Sequence, residues 1–163
     1  MHFSMFICAV LGFLSMSLPA FAWEEVGHAK LKVGPFPIYR CVLLTPDGTY
    51  SEDGQPVRLE LTYKRDIGAH HFVKHAKKEW AYQGLSEDVI MTNATGLKGA
   101  FPDIEKGETL TFELHDDGTG LLYHGPEVIF TIEDPKLAKN FANIWLSEKT
   151  SRPKHRERLI GKR

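Results

Sequence analysis

The chain has 163 residues, 25% of them charged and 42% apolar, with two cysteines and a formal net charge of −1. These figures exclude a multidomain protein, a disulfide scaffold and a disordered acidic or basic chain. A general nucleic-acid binder, which would carry a strong basic excess, is excluded too.

The near-neutral sum hides an uneven distribution. Residues 1–22 contain no Asp, Glu, Lys or Arg. Residues 148–163 carry seven Lys or Arg against two Glu, a net +5, while residues 23–147 hold 13 basic and 19 acidic residues, a net −6.

The first segment reads as an address. Phe3 to Phe21 is apolar or small throughout, Pro19 breaks the run, and Ala20-Phe21-Ala22 makes a small-x-small cleavage site ahead of Glu24 and Glu25. The apolar core is shorter than the ~20 residues a membrane-spanning helix needs. A secretory signal peptide over residues 1–22, removed to leave a single domain at 23–163, is therefore predicted. The protein is expected to be periplasmic or secreted. Cys8 leaves with the peptide, so Cys41 is the only cysteine of the mature chain and no intrachain disulfide can form. Set among apolar neighbours, Cys41 is read as a buried small hydrophobe, and the domain must stand on its core.

Strand signals come next in the chain. Ala29 to Val33 alternates, Gly34-Pro35 turns, and Ile38 to Leu44 is a more continuous apolar run. Thr45-Pro46-Asp47-Gly48 and Glu52-Asp53-Gly54 are turn chemistry. Val57, Leu59, Leu61 and Tyr63 alternate with Arg58, Glu60, Thr62 and Lys64, which predicts a half-buried strand. Leu110, Phe112 and Leu114 repeat the pattern, followed by turns around Gly118 and Gly125 and by strands at Leu121–Tyr123 and Val128–Ile132. These make an antiparallel meander.

Three helices are predicted. Asp66 is expected to cap one running through Gln83, with Phe72, Val73, Ala76 and Trp80 on one face. Ser86 starts a second, toward Leu97 and ending near Gly99. Asp134-Pro135 caps a third, whose Leu137, Phe141, Ile144 and Trp145 fall at i, i+4, i+7 and i+8. Strands, helices, strands and a final helix indicate an α+β fold, an open-faced antiparallel sheet covered by helices.

Several constellations carry chemistry in principle. His71, His75 and Glu79 share one helix face at i, i+4 and i+8, a spacing that lets two imidazoles meet one zinc. The Glu that makes such a pair catalytic is replaced by Phe72, and the stripe is read as a solvated polar face, with no metal. Hydrolase signatures and glycine-rich phosphate loops are absent from the sequence. Asn93-Ala94-Thr95 matches a glycosylation sequon within a predicted helix. Arg65 and Asp66 at a strand-to-helix corner read as a structural ion pair, although an Arg aimed into an apolar cleft there would recognise a carboxylate or phenolate. The basic tail reads as a solvated end segment, or as a contact for an anionic membrane surface or an acidic protein.

Three stretches resemble the chalcone isomerase-like family. Leu59 to Ile67 resembles a strand ending in Tyr/Phe-x-Arg-Asp-Ile before a long helix. Phe101-Pro102-Asp103-Ile104-Glu105-Lys106-Gly107-Glu108 resembles the "FPDVKKGD" segment of bacterial members. Phe141 to Leu146, with Arg152-Pro153 and Leu159-Ile160-Gly161, resembles their closing "F…IWLG…P…LLG" pattern. The resemblance implies an open sheet backed by helices with a ligand cleft between them. It also implies either closure of a chalcone ring, aided by an Arg, or binding of a fatty acid by relatives that lack that activity.

This chain departs from the enzyme pattern. His28 and Ala29 stand where the catalytic Arg is expected, and Ser86 or Glu87 where a helix Tyr is expected. Asn93 matches an Asn of the enzyme site and Lys78 a helix Lys. Without the Arg and Tyr, the usual stabilisation of the reacting oxyanion is missing. The reading is a non-catalytic binder of an apolar, acidic small molecule such as a fatty acid, without a cofactor, with Arg40, Lys78 and Asn93 as ligand-binding residues. The alternatives are an isomerase or intramolecular lyase on an unknown substrate, and an envelope protein-interaction module.

Overall fold

The computed structural model describes residues 22–52 and 56–162. Most of the predicted leader and the tip of the 52–54 turn lie outside them. Six strands form one antiparallel sheet in sequential order: β1 (Glu24–Val33), β2 (Phe36–Thr45), β3 (Val57–Tyr63), β4 (Thr109–Leu114), β5 (Gly120–His124) and β6 (Glu127–Ile132). Two helices, α1 (His70–Tyr82) and α2 (Glu87–Gly96), link β3 to β4, and α3 (Pro135–Leu146) and α4 (Pro153–Leu159) follow the sheet. The predicted α+β meander covered by helices is therefore the observed architecture.

The alternation read in the sequence sets which face is which. Val57, Leu59, Leu61 and Tyr63 of β3 are buried, and Leu110 and Phe112 of β4 and Leu122 of β5 join them in the core. Their neighbours point to the opposite, polar face of the sheet. There Arg58 bonds Glu60 and Glu113, both at 2.8 Å, and Tyr123 Oη donates to Glu113 at 3.0 Å. A carboxylate as buried as Glu113 is tolerable only because these donors surround it.

Two long-range bonds tie α1 to α3. Fully buried Trp80 donates its indole N–H to the Asn140 carbonyl at 2.9 Å, and Gln83 Nε2 donates to the Asn143 carbonyl at 2.8 Å. Asp134 caps α3 as expected, accepting the Lys136 N–H, and Ser86 caps α2, accepting the Val89 N–H.

Two predictions are corrected. Asp66 does not cap α1, which starts at His70 with no side-chain cap. The chain stays extended past the corner because Ile67 and Ile104 pair through backbone bonds of 2.8 and 2.9 Å. Asp66 instead accepts the Lys106 N–H at 2.8 Å, and Asp103 accepts the Ala69 N–H at 2.7 Å. The basic tail is not a solvated end either. It folds as α4 against β1, burying Leu159 fully and leaving Arg156 only 7% exposed. Arg156 donates to the Leu146 carbonyl at 2.6 Å and to Glu52 at 2.7 Å, which satisfies its buried guanidinium. Gly27 lets the helix approach: a Cβ there would meet the Arg158 carbonyl oxygen, and the Leu159 carbonyl oxygen at 2.7 Å.

Candidate functional site

The helices do not close over the whole sheet, and a cleft of about 780 Å³ remains between them and the inner ends of β1 to β5. Its sheet wall is Leu31, Ile38, Tyr39, Leu61, Tyr63, Leu110, Phe112 and Leu122; Phe72, Ala76, Phe141, Ile144 and Trp145 come from α1 and α3. Aromatic rings form a connected lining. Phe72 stacks on Phe101 at 4.9 Å, Phe141 meets Phe112 edge-on at 4.8 Å and Trp145 at 5.4 Å, and Tyr63 joins Tyr39 to Phe72 at 5.7 and 5.8 Å. Such contacts fix ring positions and leave a preformed apolar space.

The mouth is polar, lined by Arg65, Lys78 and Arg152 as well as by the carboxylates of Asp66 and Glu79. One stripe of α1, His71, His75, Lys78, Glu79 and Tyr82, lines it at i, i+4, i+7, i+8 and i+11. This is the polar face read in the sequence as solvated; His75, Lys78 and Tyr82 are indeed exposed, and the stripe rims the cleft. Opposite stand Thr150, Ser151, Arg152 and His155, and Arg65 joins from the corner after β3. Among the described residues Arg65, Lys78 and Arg152 pair with no carboxylate. The expected Arg65–Asp66 ion pair is thus absent there.

Glu79 is the carboxylate of this stripe, and it is already engaged. Ser151 donates to it through Oγ at 2.6 Å and through its backbone N–H at 2.8 Å, and Thr150 Oγ1 and Gln83 Nε2 add bonds of 3.0 and 3.1 Å. Burial pushes its pKa up, but these donors outweigh it and hold the carboxyl below the ordinary glutamate range. The result is a latch from α1 to the 150–151 segment.

Two of the cleft imidazoles, His75 and His155, are shifted toward the neutral form. Partial burial, followed by the charges of Lys78, His71, Lys74 and Arg152, lowers the His75 pKa. His155 is pushed down to about 4, by burial first and then by Arg152 and Arg158. Its Nε2 is buried without a hydrogen-bond partner among the described residues, and its ring meets Tyr39 edge-on at 6.0 Å. Tyr39 accepts the Trp145 indole N–H at 3.1 Å, which leaves its own O–H available as a donor in the cleft. Burial raises the Tyr39 and Tyr63 pKa values, so both phenols stay protonated.

Of the three residues singled out by sequence, the structure places Lys78 at the mouth and the other two elsewhere. Arg40 alternates with cleft-facing Tyr39 and core Cys41, so it projects on the opposite face of the sheet, 4.0 Å from Glu25. Asn93 is 4% exposed on α2, outside the cleft lining, with its Nδ2 unpartnered among the described residues. Burial also leaves its sequon inaccessible in the folded chain. Tyr39, Arg152 and His155 were not singled out. Tyr39 was findable from strand alternation, but nothing local marks the other two.

No family model matches the chain. An uncharacterized protein of Haemophilus influenzae is 28% identical over 160 residues, spanning 98% of this chain and 77% of that protein. Among solved structures, an Arabidopsis thaliana fatty-acid binding protein superposes with a TM-score of 0.62, covering 85% of this chain and 87% of its own at 8% identity. The fold is chalcone isomerase-like. At that identity the likeness establishes the architecture alone, an open sheet with helices over one face, and it matches the architecture that the sequence resemblance implies.

Proposed function

We propose that this is an exported, non-catalytic member of the chalcone isomerase-like group that binds a long-chain apolar acid, such as a fatty acid, in the cleft. The observation that carries this reading is an aromatic and aliphatic cleft of about 780 Å³ whose mouth holds cations without carboxylate partners. That volume lies within the ~300–1,000 Å³ range of small-molecule sites. Each buried methylene contributes about 0.8 kcal/mol, so an alkyl chain supplies the affinity. The anion supplies orientation, held by Arg152 and Lys78 at the mouth with the Tyr39 O–H as a further donor. The ligand named for the Arabidopsis neighbour agrees with this chemistry.

A non-catalytic role is supported by the sequence's departure from the enzyme pattern, with His28 and Ala29 where the Arg is expected and Ser86 or Glu87 where the Tyr is expected. Tyr39 and Tyr63 are pushed up and His155 down, so these three are not poised to exchange a proton near neutral pH. Export rests on the charge-free stretch of residues 1–22.

Titration with a fatty acid and with the alcohol of the same chain length, read by displacement of a fluorescent probe, tests the reading. The acid is expected to bind more tightly, and Arg152→Ala to weaken the acid by roughly tenfold while leaving the alcohol unchanged. Failure of the acid to bind would overturn it.

A further inference from the structure

Residues 26–46, which include most of β1 and β2, contain no Asp or Glu and carry Lys30, Lys32 and Arg40. This basic stretch is built into a region, residues 23–147, whose net charge is −6. At the tip of the hairpin Gly34 turns the chain at φ 57°, a value open mainly to glycine. Val33 and Phe36 are the last cross-strand pair, and they are 56% and 62% exposed. Both apolar side chains thus leave more than half of their surface in water within this fold. Phe36 and Pro37 share a shallow depression with Lys64 and Arg65, so cations rim the apolar tip. Val33 and Arg65 also line the cleft, which puts the tip at its mouth.

We propose that the β1–β2 hairpin tip docks on an anionic phospholipid surface, with Val33 and Phe36 entering the interface and Lys32, Lys64 and Arg65 meeting the phosphates. Apolar insertion and basic residues are each weak anchors alone, and their combination is what interfacial binding requires. An acidic body with one basic end also orients the molecule, because the remainder is repelled by the same surface. Docking would bring the cleft mouth to the layer in which a long-chain acid partitions. That last consequence rests on the ligand-binding reading above, whereas docking itself requires no ligand.

Flotation of the purified protein with phosphatidylcholine vesicles, with and without phosphatidylglycerol, provides the test. Binding is expected only to the anionic vesicles and to weaken as salt is raised. Phe36→Ser, and Lys32→Glu combined with Lys64→Glu, should each lower vesicle partitioning by roughly tenfold or more. Fatty-acid titration in solution should be unchanged in these variants, since none of the three residues lines the cleft. Replacing Lys154, Arg158 and Lys162 by Gln should leave flotation intact. The proposal is overturned if the protein ignores anionic vesicles, if the hairpin variants float as well as the parent, or if loss follows the α4 variant instead. Light scattering that shows Phe36→Ser dissociating a dimer, with flotation unchanged, would make the tip a contact between copies and overturn it as well. Flotation that persists in a protein unable to bind fatty acid in solution would reject the ligand reading alone.

Discussion

His155 is held where its charged form is unfavourable, with a folded pKa of about 4 against an ordinary value near 6.5. Below pH 6.5 the unfolded chain takes up a proton that the folded chain refuses, so folding stability must fall with pH. The contribution is complete above pH 6.5 and is lost progressively down to about pH 4, a total of about 3 kcal/mol. Denaturant unfolding at several pH values in that window should show this slope, and His155→Gln should flatten it. An unchanged slope would mean that the imidazole is not shielded as described. The same burial leaves Nε2 without a partner among the described residues, a cost that a core position chosen for stability alone would avoid. Tyr39 beside it shows the same economy, with its oxygen bonded to Trp145 and its proton uncommitted.

At the scale of elements, what could be read in the sequence was what depends on local periodicity. The β3 alternation and the Leu137–Phe141–Ile144–Trp145 stripe are consequences of side-chain spacing, and both stand in the structure. Asp66 misled because its carboxylate serves a backbone N–H forty residues away, at Lys106, and no local pattern records that bond. The tail misled for a related reason: seven residues with one buried leucine leave no stripe to read, and its docking depends on space above Gly27. The site was legible to a similar extent. Of the residues the sequence proposed, Lys78 lines the cleft, Arg40 sits one residue from Tyr39 and therefore on the opposite face of its strand, and Asn93 is buried on α2 outside the lining. Arg152 and His155 come from a segment whose placement is set by the latch to Glu79. The close approach of α4 to β1 gives a direct test. Gly27→Ala should destabilise the fold by about 1–3 kcal/mol in denaturant unfolding, because the new Cβ has only backbone carbonyls to push against. Wild-type stability in that variant would show that α4 is not tightly docked.

For the whole molecule, the charge separation seen at the start acquires a geometry. The +5 tail is folded back so that Arg152 and His155 reach the mouth of the cleft while Arg156 is buried in the fold. The acidic body carries the site, and its basic β1–β2 hairpin stands at the same mouth. Apolar wall, cation-bearing rim and exposed tip are the features on which the proposed uptake of an amphiphilic acid, chain inward and anion outward, rests. Native mass spectrometry of the protein purified after recombinant export measures this most directly. The expected spectrum shows a chain beginning at Trp23 that carries one equivalent of long-chain acid, which is replaced when a different fatty acid is added. A consistently ligand-free protein that ignores added fatty acids would contradict it.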